Sequence, residues 1–158
     1  MRVTEPAVPP TGIRRRLFRS PIRLYRWHLG FLLGRHFLLL EHRGRKTGKP
    51  RYVVLEVVNY DDTHDGFVVA VGFGATSDWY RNLRADPHAR VESRRERVAV
   101  TAEFLEPDEG AHFFAHYARR HRKLAVKLSA TMGFEVDGSD SDFREAGSRI
   151  RFVRLRRT

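Results

Sequence analysis

Cysteine is absent from this chain of 158 residues. That excludes disulfides, a thiolate nucleophile and any cysteine-based zinc or iron–sulfur centre, and it fits a reducing cytoplasm. No stretch reaches the roughly 18 consecutive apolar residues of a membrane span. Arg23, Arg26 and His28 interrupt the segment that would otherwise serve as the apolar heart of an export signal, so a cytoplasmic protein is expected. Internal repeats and low-complexity tracts are also missing. Acidic residues are scarce at the start: residues 1–60 hold 3 Asp and Glu against 13 Lys and Arg, whereas residues 61–158 hold 16 against 17. The net charge of +11 therefore sits almost wholly in the N-terminal third. Such a footprint attracts nucleic acid, an anionic membrane or a ligand rich in phosphate or carboxylate, and composition does not choose among them.

What is present is enough for one core, with 41% hydrophobic residues. Residues 1–12, with four Pro and Gly positions, read as a flexible lead-in. Residues 13–34 read as a basic amphipathic helix, with Pro21 in its first turn. Two roles are open for it: packing across the domain with solvated arginines, or peripheral contact of residues 20–34 with the inner face of a membrane. Residues 35–158 then read as a single domain. Strands are predicted at 36–43, 52–60, 67–71, 88–93, 98–104 and 150–155 from β-branched, aromatic and alternating patterns. Helices are predicted at 78–85, with Thr76 or Ser77 as its cap, and at 107–127, acidic at its start and basic at its end. Consecutive strands joined by tight turns imply antiparallel pairing, and a small closed barrel is the way for about six such strands to hide their edges. The fold class is mainly β, α+β, with flanking helices.

Two stretches carry chemistry. Gly44-Arg45-Lys46-Thr47-Gly48-Lys49-Pro50-Arg51 places four cations and a hydroxyl in a glycine-bounded turn, suited to phosphate or carboxylate oxygens; it lacks the order of a Walker A loop. A solvated basic hairpin is the structural alternative. Gly72-Phe73-Gly74-Ala75-Thr76-Ser77-Asp78-Trp79-Tyr80-Arg81-Asn82-Leu83 runs from a glycine turn into a helix whose first N–H groups can face an anion or a polar ring edge. Here the structural alternative is that Trp79 and Leu83, at i and i+4, are a buried face.

Together, G-R-x-[ST]-G-x-P-R followed by a glycine turn and W-Y-x-N-L-x-A-x-P resembles the deazaflavin-dependent nitroreductase family of actinobacteria, over about residues 38–91. The resemblance implies a split β-barrel related to flavin-binding barrels. It implies coenzyme F420, a flavin-like ring with a phosphodiester and an oligoglutamate tail, as hydride source for quinones, nitro compounds or activated enones. By motif position, Arg45, Lys46, Thr47 and Arg51 would hold phosphate and tail. Tyr52, Val53, Val54, Leu55 and Glu56 would line the cleft. Ala70, Val71, Gly72 and Phe73 would run along the ring, and Asp78, Trp79, Tyr80, Arg81 and Asn82 would complete the pocket. Phe73 stands where several members have Lys, and the tyrosine cluster of the later helix is reduced to Tyr117.

Ser77, Tyr80 and Tyr117 are candidate hydrogen-bond donors to an acceptor, each with a structural alternative; no dedicated nucleophile is expected. His112 and His116, at i and i+4, lack an obvious third ligand, so no metal is expected. FMN or haem on the same barrel, or a basic nucleic-acid-binding module, are the competing readings. Nucleic acid is disfavoured because the cations flank turn glycines rather than lying along one β face with aromatics. The expected partner is a small-molecule acceptor, with the protein a monomer or homodimer.

Overall fold

A computed structural model describes residues 1–5, 36–72, 74–94 and 96–158. The basic helix expected at 13–34 lies outside them, as does Phe73. The described elements are β1 (Arg2–Val3), β2 (Phe37–Arg43), β3 (Pro50–Asp61), β4 (Gly66–Ala70), α1 (Asp78–Ala85), β5 (His88–Ser93), β6 (Glu96–Phe104), α2 (Pro107–Arg120), α3 (Arg122–Thr131), β7 (Phe134–Glu135), α4 (Asp140–Arg149) and β8 (Phe152–Arg157). Six strands close into an antiparallel barrel in the order β2-β3-β4-β8-β6-β5, with β5 returning to β2. This is the small antiparallel barrel expected from the strand pattern, and the split β-barrel that the resemblance implied. The short β1 and β7 pair separately. No described helix is long and apolar enough to cross a membrane.

The barrel has two cores because its strands have two buried faces. Along β4 and the residue after it, Phe67, Val69 and Val71 enter the barrel interior with Leu38, Leu40, Leu55 and Val153, while Val68 and Ala70 face outward onto Phe114, Tyr117, Phe143 and Phe152. This period-two division explains why β4 is buried at every position. Helix α1 plugs the interior with Trp79, Tyr80 and Leu83. Helices α2 and α4 cover the outer face. A bulge between Val57 and Asn59 shifts the β3 register against β4. Beyond it Asp61 is buried and accepts from Arg154 Nε at 2.9 Å, and Arg154 also reaches Glu109 at 2.8 Å. A buried guanidinium thus clamps β3, β8 and α2 together.

The helical layer departs from expectation in two places. The helix predicted at 107–127 is not continuous: His121 leaves helical backbone at φ −138°, ψ 59°, and the chain restarts as α3. No Gly or Pro marks this break in the sequence. Helix α4 was not predicted, although Ser139 caps it by accepting from Asp142 N at 3.1 Å and Asp140 and Arg149 suit its dipole.

The α2–α4 contact depends on two glycines. A Cβ on Gly110 would lie 2.6 Å from the Gly147 carbonyl oxygen, and one on Gly147 would lie 2.8 Å from that of Gly110. Alanine would gain about 1 kcal/mol of helix propensity, but rigid backbone cannot yield to such an overlap without parting the helices, at about 1–3 kcal/mol or more. Gly110→Ala is therefore expected to lower the urea-unfolding free energy by about 1–2 kcal/mol.

Candidate functional site

The basic turn between β2 and β3 is shaped by its own backbone. Gly48 N donates to Gly44 O at 2.8 Å and Gly44 N to Lys49 O at 2.9 Å, with Gly48 at φ +68°. Glycine is needed there because side-chained residues rarely adopt that conformation. Thr47 Oγ1 accepts from Lys49 N at 3.2 Å. Lys46, Lys49 and Arg51 remain exposed, with no acidic partner among the described residues.

Arg45 behaves differently. Its backbone N and Nη1 both donate to Asn82 Oδ1, at 3.0 and 2.9 Å, and its guanidinium pairs with Asp78 at 3.3 Å. Because the Asn82 oxygen takes both Arg45 donors, its Nδ2 is the group facing His42 Nδ1 at 3.1 Å. That assigns Nδ1 as acceptor and places the ring proton on Nε2. The two motif stretches, some thirty residues apart, are thereby clasped together at the start of α1.

Across the clasp lies the glycine turn. Ala70 and Val71 are buried, and a Cβ on Gly72 or on Gly74 (φ +73°) would meet no described atom within 4 Å. Among the described residues, open space therefore faces both glycines. Ser77 occupies the α1 N-cap position but makes no capping bond, and its hydroxyl is buried without a partner among the described residues. The helix beyond it begins with N–H groups that have no intrahelical acceptor.

Other expected residues divide by orientation. In residues 52–56, Val53 and Leu55 turn into the barrel core, which leaves Tyr52, Val54 and Glu56 on the outer face. Trp79 and Tyr80 are buried in the core; Asp78 and Arg81 are exposed. Tyr117, 2% exposed, donates a hydrogen bond to the Glu56 carboxylate and packs against His121, which meets His36 edge-on. Burial first, and the adjacent Glu56 carboxylate second, push the Tyr117 phenol above its usual range, so it stays protonated at neutral pH.

Reading the sequence missed His42, which is 5% exposed although strand alternation with Leu38 and Leu40 pointed it inward. It also missed the Glu56–Tyr117 pair, which joins positions 61 residues apart. Cavities on the described surface include two that bear on these residues. One, of about 560 Å³, lies against α1 and is lined by Arg45, Tyr80, Arg81, Arg84 and Arg151 among others. The other, of about 520 Å³, lies by the β3–β4 turn, where Asp61 and Glu109 are already answered by Arg154.

Comparison with known proteins follows this geometry. The family model for F420H(2)-dependent quinone reductase matches residues 18–132. A Mycobacterium tuberculosis protein provisionally named for that activity is 35% identical over 79 residues, 49% of this chain; the match spans 65% of that relative's length. Among solved structures, a protein of unknown function from Agrobacterium tumefaciens superposes with a TM-score of 0.52 at 16% identity, covering 98% of this chain and 59% of that one. A structure described as an F420-H2 dependent reductase gives a TM-score of 0.48 at 24% identity, covering 77% and 94%.

The clasp carries its own pH dependence. Burial lowers the His42 pKa from 6.5 to about 4, with Asp78 opposing and Arg51 reinforcing. The unfolded chain takes up a proton near pH 6.5 that the folded chain refuses until about pH 4. Its contribution is thus complete above pH 6.5 and is lost as pH falls toward 4, at about 1.4 kcal/mol per unit, on the order of 3 kcal/mol in all and about 2 kcal/mol of it by pH 5. Urea denaturation at pH 7 and pH 5 is expected to show this fall in the wild type and a flatter profile in His42→Gln.

Proposed function

Because the chain belongs to the F420H(2)-dependent quinone reductase family, we propose that it binds coenzyme F420 at the clasped site and reduces a quinone or a related acceptor. The observation that carries this reading is the Arg45–Asn82–His42 clasp, which ties the turn carrying the exposed Lys46, Lys49 and Arg51 to the helix that follows the glycine turn. A ligand that is anionic at one end and flat and polar at the other fits that combination. Bound there, the reduced deazaflavin supplies a hydride.

The chain supplies the rest. Lys46 and Arg51 hold phosphate and carboxylate oxygens, with Thr47 beside them and Arg45 keeping the turn in register. Gly72 and Gly74 admit a flat ring close to the backbone, because neither carries a side chain to block it. The N-terminal N–H groups of α1 offer donors to the ring's polar edge. Tyr117, buried on α2, keeps its phenol proton and donates it to Glu56 on the outer face of β3, so its part is to hold that carboxylate in place. Nitro compounds and enones remain acceptors to be screened beside quinones.

A fluorescence titration with F420, run beside FMN, tests the reading. Saturable binding of the deazaflavin, weakened about tenfold or more by Lys46→Ala with Arg51→Ala, is the expected result. No binding, or preference for FMN, would remove it.

A further inference from the structure

Charge is balanced along residues 61–158 except in one stretch. Of the 17 Lys and Arg there, five fall in residues 110–134, and none of the 16 Asp and Glu does. Those five end α2 and run along α3. Two are committed within the fold: Arg119 pairs with Asp140 at 3.0 Å, and Arg122 lies over the Gly138 turn, where a Cβ would meet its Nη2 at 2.3 Å. Arg120, Lys123 and Lys127 are exposed, with no acidic partner among the described residues. Lys123 and Lys127 stand one turn apart, a spacing at which like charges destabilise a helix.

The packing of α3 is also inverted. Its fully buried residues are the small Ala125 and Ser129, the Ser129 hydroxyl donating to Ala125 O at 2.8 Å, and Leu128 is half-buried. Leu124 and Val126, at 42% and 38% exposure, face outward instead. At 3.6 residues per turn, Lys123 and Lys127 fall between them on the exposed side. Beside α3, β7 pairs with β1, whose Val3 is 61% exposed. Three of the four large hydrophobics exposed among the described residues therefore lie on α3 and the strand pair next to it, together with three uncommitted cations.

A helix adapted to water buries its larger apolar residues and intersperses acids among its bases. Helix α3 does neither. A surface that is anionic outside and apolar just beneath answers both departures at once: lysine stems reach headgroup phosphates while Leu and Val enter the acyl boundary. Nucleic acid would answer only the lysines, because α3 carries no aromatic side chain on which a base could stack. We infer that α3 is a docking helix that seats this face of the protein on an anionic lipid bilayer, lying in the headgroup plane. The inference goes beyond the proposed function and does not depend on it.

The test is flotation of the full chain with vesicles of phosphatidylcholine containing phosphatidylglycerol and with vesicles of phosphatidylcholine alone, no coenzyme being present. The wild type is expected to bind the anionic vesicles about tenfold or more tighter than the neutral ones. Lys123→Glu with Lys127→Glu is expected to lower that affinity about tenfold or more, and Leu124→Gln with Val126→Gln about three- to tenfold, each with the Tm of the wild type. Lys123→Arg with Lys127→Arg is expected to bind as the wild type does. A wild type that ignores anionic vesicles, or binds both kinds equally, overturns the inference. So do glutamate and glutamine pairs that both bind within about twofold of the wild type. A duplex oligonucleotide titrated in parallel supplies the remaining outcome. Binding tighter than to vesicles, lost in the glutamate pair and kept in the glutamine pair, assigns the helix to nucleic acid and overturns the lipid reading.

Discussion

The side-chain amide of Asn82 is the junction on which the site depends. Buried at 4% exposure, it accepts from the backbone and guanidinium of Arg45 and faces His42. Its three contacts join the β2–β3 turn, the end of β2 and the first turns of α1. A buried amide left with any of these groups missing would carry an unsatisfied polar atom, which costs more than the bond itself is worth. The turn, strand and helix are therefore held in one arrangement, and the exposed cations Lys46, Lys49 and Arg51 are presented from a fixed base.

The same logic operates at the opposite side of the barrel. Arg154 and Asp61 are both buried, and their pairing joins β3 to β8 while Glu109 brings in α2. Burial raises the Asp61 carboxyl, but the His64 hydrogen bonds and the charge of Arg154 outweigh it and hold the pKa below the ordinary value. The barrel thus has charge paired with charge where its layers must be locked. Around α1, Arg81 and Arg84 have no acidic partner among the described residues.

Much of the frame was legible beforehand. The β-branched and aromatic content of the strand segments, and the tight turns between them, predicted about six antiparallel strands, and the barrel has six. The motif pair marked the turn and helix that the clasp brings together. Legibility failed where the cause was not local. The break at His121 carries no Gly or Pro, and nothing nearby in sequence announces it. Helix α4 did have a cap and a dipole-matched charge pattern, but its short polar run, with Gly138 before it and Gly147 inside it, concealed them. Arg84 and Arg151 are 67 positions apart and share a depression only because β4 and β8 are neighbours.

The sequence by itself determined the periodicities, the turn chemistry and the excess of positive charge, because these are properties of neighbouring residues. It also determined family membership, through motifs short enough to be read along the chain. Only the tertiary structure decided which cations are paired and which stay exposed among the described residues. Arg45 and Lys46 are adjacent and chemically alike, yet one is bound to Asn82 and Asp78 while the other is exposed. That outcome depends on the partner that closure of the barrel brings within 3 Å, a distance no local pattern encodes.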